Sequence, residues 1–337
     1  MTQIAFFTRL LDQAPAPERY RLALEQIQLA ERLGVPRAWV AQHHFHPGEG
    51  GLPSPFVFLA HAAGQTERIR LATGVITLPL EDPIRVAEDA AVADALSGGR
   101  IDLGLGTGGT PTTFAPFGVL LESKAQDYVK KLAVLLTALD GGELGSGNVL
   151  YPPAGNLRSR VWDATFSVLG GARAGRLGNG LLLSRTQPRP GDNPGASLAE
   201  IQLPIVEAYL NALPQGVPPR ISASRTVFVA DTRAEALALA EEGLARFATV
   251  FERTGQPLPD GGIEGLIAAT DTHLGTPEQV AESLASDPTL AHADEVAFQV
   301  HSVDPPPDLV LRSIELFATV VAPALGWGVA ASSQQGA

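Results

Sequence analysis

The feature that most restricts the fold of this chain is a rhythm. Short apolar runs alternate with longer segments whose apolar residues recur at helical spacing, and the alternation repeats eight times. A strand followed by a helix, repeated, is the pattern of a parallel sheet covered by helices, because a parallel neighbour is reached only by a crossover. Strands are expected at 4–8, 38–42, 69–75, 101–106, 160–165, 181–185, 225–230 and 295–300. Helices are expected at 18–33, 55–65, 83–96, 124–139, 167–177, 197–213, 233–253 and 307–321. Gly34 stops the first helix, and Ser54 is placed to cap the second, with Pro55 at its first position. Eight strand-helix units favour a (β/α)8 TIM barrel with loop insertions over an open doubly wound sheet of six or seven strands.

Length agrees with that reading. The 337 residues suit one barrel domain over 1–326, followed by a small, polar, flexible tail at 327–337. Hydrophobic residues make up 45% and charged residues 18%, enough for a large core and against global disorder. The net charge of −12 repels phosphate backbones and anionic lipid, so neither nucleic acid nor a membrane surface is an expected partner. The absence of cysteine removes disulfides, thiolate nucleophiles and cysteine metal sites. No signal peptide and no apolar run of the roughly 20 residues a membrane helix needs can be read. The expected location is cytoplasmic.

Three segments rich in Gly, Pro and polar residues depart from the rhythm, at 140–159, 187–195 and 254–273. Loops this long in a barrel are lids, binding loops or disordered stretches, and the first and third are the better lid candidates.

Barrel enzymes build their sites where strands run into helices, so the strand ends carry the functional argument. Four of the seven histidines fall there: His43, His44 and His46 after the second strand, and His301 after the eighth. Strand alternation would put His44 and His46 on one side and His43 on the other. A metal site is one reading, but the other strand ends offer Gly, Thr, Ser and Arg in place of completing carboxylates, so no metal is expected. The plainer reading of any one His is packing or strand capping. Gly104, Gly106, Gly108 and Gly109 clear side chains where a flat ring or a backbone must come close, although a strand exit needs glycine anyway. Ser167, Gly170 and Gly171 open a helix whose amides form an anion site, or form an ordinary helix cap. Arg173 and Arg185 could add positive charge nearby. Phe45, Phe114, Phe117 and Phe166 at the mouth suit an apolar guest, or simple packing.

At this point the residues match a family. Trp39-Val40-Ala41-Gln42-His43-His44-Phe45 resembles the W-x-x-E-H-H-F signature of luciferase-like flavin monooxygenases. The likeness continues through Leu71–Pro79, Asp82–Asp89 and Leu96–Arg100, then through Phe114 and Phe117-Gly118, to Leu274–Val280. It is strong from 36 to 118 and thin from 186 to 270. Several motifs in order at the right spacing are far more specific than any one alone.

The resemblance implies a barrel that binds reduced FMN at its C-terminal mouth and uses dioxygen. It implies that His43 is the catalytic residue beside the ring. It puts Thr73, Gly74 and Val75 behind the ring, with a non-proline cis peptide at Gly74-Val75, and Gly106 at the ring's reactive edge. Ser167 falls on a phosphate-binding serine. His44 and Glu88 fall near a homodimer contact built from the second and third helices. The departures are Gln42 for the usual Glu, Thr107 for a phosphate-binding Arg, Gly170 for a phosphate-binding Thr, and Gly106 for a Cys, which would open space above the ring. Arg185 or Arg173 is the expected substitute phosphate ligand. The function implied is a monooxygenase of a small apolar substrate, fed with reduced flavin by a separate reductase. A deazaflavin-dependent oxidoreductase on the same barrel, or a flavin-binding protein without catalysis, is the alternative.

Overall fold

The computed structural model describes residues 1–254, 260–301 and 303–328, without the side chains of 246–254. Along the chain run β1 (Gln3–Thr8), α1 (Ala16–Arg32), β2 (Arg37–Val40), α2 (Pro55–Ala63), β3 (Arg70–Thr73), β4 (Ile76–Thr77), α3 (Pro83–Leu96), β5 (Ile101–Gly106), α4 (Lys124–Leu139), β6 (Val161–Ala164), α5 (Val168–Arg176), β7 (Gly180–Leu183), α6 (Leu198–Ala212), β8 (Ile221–Val229), α7 (Arg233–Thr254), α8 (Gly262–Ala269), β9 (Thr272–Gly275), α9 (Pro277–Ala285), β10 (Glu295–Gln299) and α10 (Pro307–Leu316). Eight strands form a parallel TIM barrel in the order β10-β1-β2-β3-β5-β6-β7-β8, closed by β8 on β10, with β4 and β9 as short additions. The expected fold class is therefore the observed one. The chain divides into two compact units: Met1–Ala38 with Leu183–Pro204 and Ile221–Ala337, and Trp39–Leu182 with Ile205–Arg220.

In the first unit β10 pairs with β1 from Glu295 to Phe298 and with β8 from Glu295 to Gln299. These strands are largely buried on both faces because both faces are covered, as parallel strands require. Phe298 stacks on Phe317 with ring centroids 4.2 Å apart and tilts against Phe6 at 5.7 Å. Burying each such ring contributes roughly 2–3 kcal/mol. Arg225 of β8 is wholly buried and is matched by Asp287 at 2.6 Å and by Gln202 Oε1 at 3.0 Å. A buried guanidinium without those acceptors would be strongly destabilising.

In the second unit every residue of β5, Ile-Asp-Leu-Gly-Leu-Gly, is buried. Trp39 and Trp162 meet edge to face at 5.6 Å. A Cβ on Gly180 would stand 2.2 Å from the Trp162 ring, so only glycine lets β7 lie against β6 there. Asp163 of β6, fully buried, accepts from Asn179 Nδ2 at 2.7 Å and is bonded by the Tyr128 hydroxyl. Helix starts follow local chemistry. Asp82 accepts from the N–H groups of Ile84 and Arg85 at the head of α3, and Thr276 with Gln279 forms a capping box on α9.

Several expectations are corrected. The segment 254–273 is not a bare loop: among its described residues it holds α8 and the start of β9, which extends β8 from Thr226 to Val229. β8 begins at Ile221, four residues before the expected strand. Residues 41–46 are not strand, since β2 ends at Val40 and Phe45 has φ +63, so strand alternation does not govern the histidines. Ser54 stands at the N-cap of α2 but its side chain makes no capping bond. The expected final helix divides into α10 and a π turn at Phe317–Val321. At the tail, the Gly328 N–H is bonded to Thr2 O, while the expectation for 329–337 lies outside the described residues.

Candidate active site

The second unit gathers His43, Thr73, Gly74, Val75, Gly106, Thr107, Ser167 and Gly170, and Arg185 belongs to the first. His43 follows β2 on an irregular segment. Its N–H donates to Leu52 O at 2.9 Å, which closes the loop back on itself. Its ring lies against Gly50: a Cβ there would stand 2.4 Å from His43 Cδ2. Gly50 is buried, and its missing side chain is where the imidazole rests. The loop is pinned outward as well, by His46 Nε2 on Thr112 Oγ1 at 2.8 Å and by Thr110 Oγ1 donating to Glu49. His44 packs edge to face on Phe117 at 4.9 Å with its Nε2 buried and unpartnered. Burial pushes the His44 pKa down, against a smaller upward pull from Glu81.

The Gly74–Val75 peptide is cis. Gly74 N–H donates to Val40 O at 2.8 Å, which ties this bend to β2. Val75 leans toward β5: a Cβ on Gly106 would stand 2.7 Å from Val75 Cγ2. Gly106 thus does not open space, as its sequence suggested; Val75 takes the place of its side chain. Thr73 is wholly buried, its hydroxyl donating to Gly104 O and accepting from Gly104 N–H, both at 2.9 Å. That hydroxyl holds the β3–β5 seam, and any part Thr73 plays toward a ligand goes through its backbone. Thr107 is half-buried on the exit of β5.

Ser167 caps α5, its Oγ accepting from Gly170 N–H at 3.1 Å. The serine is exposed, and the first turn of α5 carries no acidic residue. Both favour an anion at this terminus. Gly170 shows what the sequence did not: a Cβ there would stand 1.9 Å from Thr165 Oγ1. The Thr165 hydroxyl occupies the space of a side chain at 170 and accepts from Ser167 N–H at 3.2 Å. The signal that could have found it was the Thr-x-Ser order at the end of the fifth strand. The expected arginine substitutes are engaged elsewhere. Arg173 lies over the Tyr128 ring at 4.8 Å and 3.6 Å from Asp163. Arg185 is buried and donates to Thr226 Oγ1 at 2.8 Å. Phe114 is buried, whereas Phe45, Phe117 and Phe166 are exposed.

The family model for luciferase-like monooxygenases matches residues 2–287. The chain belongs to that family. Among the relatives of this luciferase-like chain, 4-hydroxyprotoasukamycin monooxygenase of Streptomyces nodosus subsp. asukaensis is 30% identical over 96% of this chain and 92% of its own. Two solved structures share the fold. The oxygenating constituent of 3,6-diketocamphane monooxygenase from Pseudomonas putida, a type II Baeyer-Villiger monooxygenase in complex with FMN, superposes with TM-score 0.77 at 19% identity, covering 96% of this chain and 98% of its own. The coenzyme F420-dependent tetrahydromethanopterin reductase of Methanopyrus kandleri superposes with TM-score 0.67 at 18% identity, covering 96% and 99%. Among the described residues of this luciferase-like protein no helix is long and apolar enough to cross a membrane.

Proposed function

We propose that this protein is the oxygenase of a two-component system, taking reduced FMN from a separate reductase and dioxygen to oxidise a small apolar substrate. The observation that carries the reading is the first turn of α5, which holds no acidic residue and where the Thr165 and Ser167 hydroxyls meet the Ser167 and Gly170 amides. That donor set fits a phosphate monoester. Ser167, Thr165 and the amides after Ser167 would hold the phosphate, and Gly74, Val75 and Gly106 would form a wall for a flat ring. The two arginines expected there contribute elsewhere, so neutral donors and the helix terminus carry the phosphate, with Thr107 as a further hydroxyl.

When bound, the reduced flavin would supply the electrons with which dioxygen is activated. The chain's own tasks are to orient, to exclude water and to manage one proton. His43 is suited to the proton, since an ordinary imidazole titrates near neutral pH. Its ring lies against Gly50, which leaves it room by having no side chain. Phe166, Val168 and Leu169 are exposed around Ser167 and would meet an apolar guest.

The test is an FMN titration followed by anaerobic reduction and oxygen mixing. Binding at micromolar FMN with oxygen-dependent product from an apolar substrate supports the reading. The F420-dependent relative favours a second one: tight binding and hydride transfer with reduced deazaflavin, and none with FMN, would install that in its place. A homodimer through α2 and α3 accords with exposed Val57, Val92 and Leu96 on those helices.

A further inference from the structure

The chain just before His43 is tied to the segment after the Gly74–Val75 bend by one side chain. Gln42 is buried and uses both ends of its amide. Its Oε1 accepts from the backbone N–H of Thr77 at 2.7 Å. Its Nε2 donates to Glu81 Oε1 at 2.7 Å and, more weakly, to Pro53 O at 3.3 Å. The orientation of the amide is forced, because a backbone N–H only donates and a carboxylate only accepts.

Glu81 stands in a rigid frame. Lys131 of α4 donates to Pro79 O at 2.7 Å and to Glu81 O at 2.8 Å, which fixes the turn that carries it. The next residue, Asp82, caps α3. A side chain held at its backbone from both sides is an effective anchor for a neighbour.

Gln42 is adjacent to His43, and Thr77 lies two residues beyond Val75. We propose that the Gln42–Glu81 pair is the clamp that positions His43 relative to the Gly74–Thr77 wall. This rests on the reading of His43 as the reacting residue. Gln42 and Glu81 are positioning residues; neither needs to touch a substrate. The clamp requires an acceptor toward Thr77 and one donor between the two side chains. A carboxylate at both positions removes that donor, and at pH 8 the two like charges push apart and break it. Exchanging the two side chains restores it: Glu at 42 accepts from Thr77 and from an amide at 81. The 3.3 Å bond to Pro53 O is lost, and that carbonyl then faces a carboxylate oxygen, a small cost that the exchanged pair carries.

The experiment uses Q42E, E81Q, Q42E/E81Q, E81A and H43A in the full chain. The His43 ring signal is followed in the flavin-free protein by proton–carbon NMR at pH 8, assigned by its loss in H43A. Turnover is followed in parallel. Q42E is expected to move the His43 signal and to lower kcat/KM by about 10–100-fold, as misplacement of a reacting group does. E81Q, whose amide oxygen still accepts from Gln42, should stay within about 3-fold, and Q42E/E81Q should return the signal and come within about 3-fold of wild type. The clamp is overturned if Q42E leaves signal and turnover unchanged, or if the exchanged pair does no better than Q42E. Should Q42E not fold, E81A decides: a moved His43 signal supports the clamp and an unmoved one refutes it. Unimpaired turnover in H43A would remove the catalytic reading, while the flavin-free signal would still judge the clamp.

Discussion

The hydroxyl of Thr165 fills the place that a side chain on Gly170 would take, 1.9 Å from where that Cβ would stand. The two positions share one volume at the head of α5, so a hydroxyl reaches this turn from Thr165 instead of from residue 170. Thr165→Ala should raise the Kd for FMN by about 10–150-fold, the worth of a hydrogen bond to a charged group. The unfolding temperature should fall by no more than about 2–4 °C, the cost of the bond from Ser167 N–H. Fluorescence titration checks it, and an unchanged Kd would take Thr165 out of the phosphate site.

His43→Ala should keep flavin affinity and lose turnover by ~10²–10⁴-fold, the usual share of a proton-transferring group. Comparing the FMN Kd with kcat separates the two effects. Wild-type turnover would end the assignment.

Gly50→Ala should act through His43 without touching any ligand. The new Cβ would meet the His43 ring at 2.4 Å and its Cβ at 2.9 Å, so the imidazole must swing away. A displaced reacting group costs up to ~10²-fold, so kcat should fall about 10–100-fold with KM for flavin near wild type. A variant that keeps kcat would show that the ring has no fixed position to lose.

His273 gives the protein an acid limit. Burial, with Arg225 adding to it, pushes its pKa from 6.5 down to about 4, and Nδ1 sits 2.8 Å from Ser283 Oγ. The folded pKa is depressed, so the neutral imidazole is the stable form. Its contribution is full above pH 6.5. It is lost as pH falls toward 4, where the unfolded chain takes up the proton first. The loss reaches about 3 kcal/mol. Thermal unfolding between pH 7 and 4 should show a drop that His273→Asn reduces; equal drops would exclude His273 as its source.

Val57 of α2 and Leu96 of α3 are 74% and 67% exposed. If they lie in a dimer face, Val57→Glu with Leu96→Glu should shift the protein to monomer in sedimentation. An unchanged mass would place the contact elsewhere.

The fold was legible because its signals are local and repeated. Buried parallel strands carry apolar runs, and Gly34 and Pro55 mark helix ends by their own backbone chemistry. β9 escaped because Thr272–Gly275 carries no apolar run of its own; it is strand only because β8 offers it an edge. Local geometry was legible where one residue meets one motif, as at Ser167 capping α5. It was illegible where a role depends on who else is near. Arg185 looks like a free cation until Thr226 and Ser224 are seen to engage it. Thr165 and Glu81 gain their meaning from Gly170 and Gln42, which the fold brings to them.

β8 serves two neighbours in turn: Ser222 to Thr226 pair with β10, and Thr226 to Val229 pair with β9. The barrel seam and the annexed segment therefore meet on one strand and share one residue of it, Thr226. Evolution or an engineer can lengthen, shorten or exchange the chain between α7 and α9 while the first half of β8 keeps its register. Closure of the barrel and attachment of that segment are thus carried by two stretches of β8 that meet at Thr226.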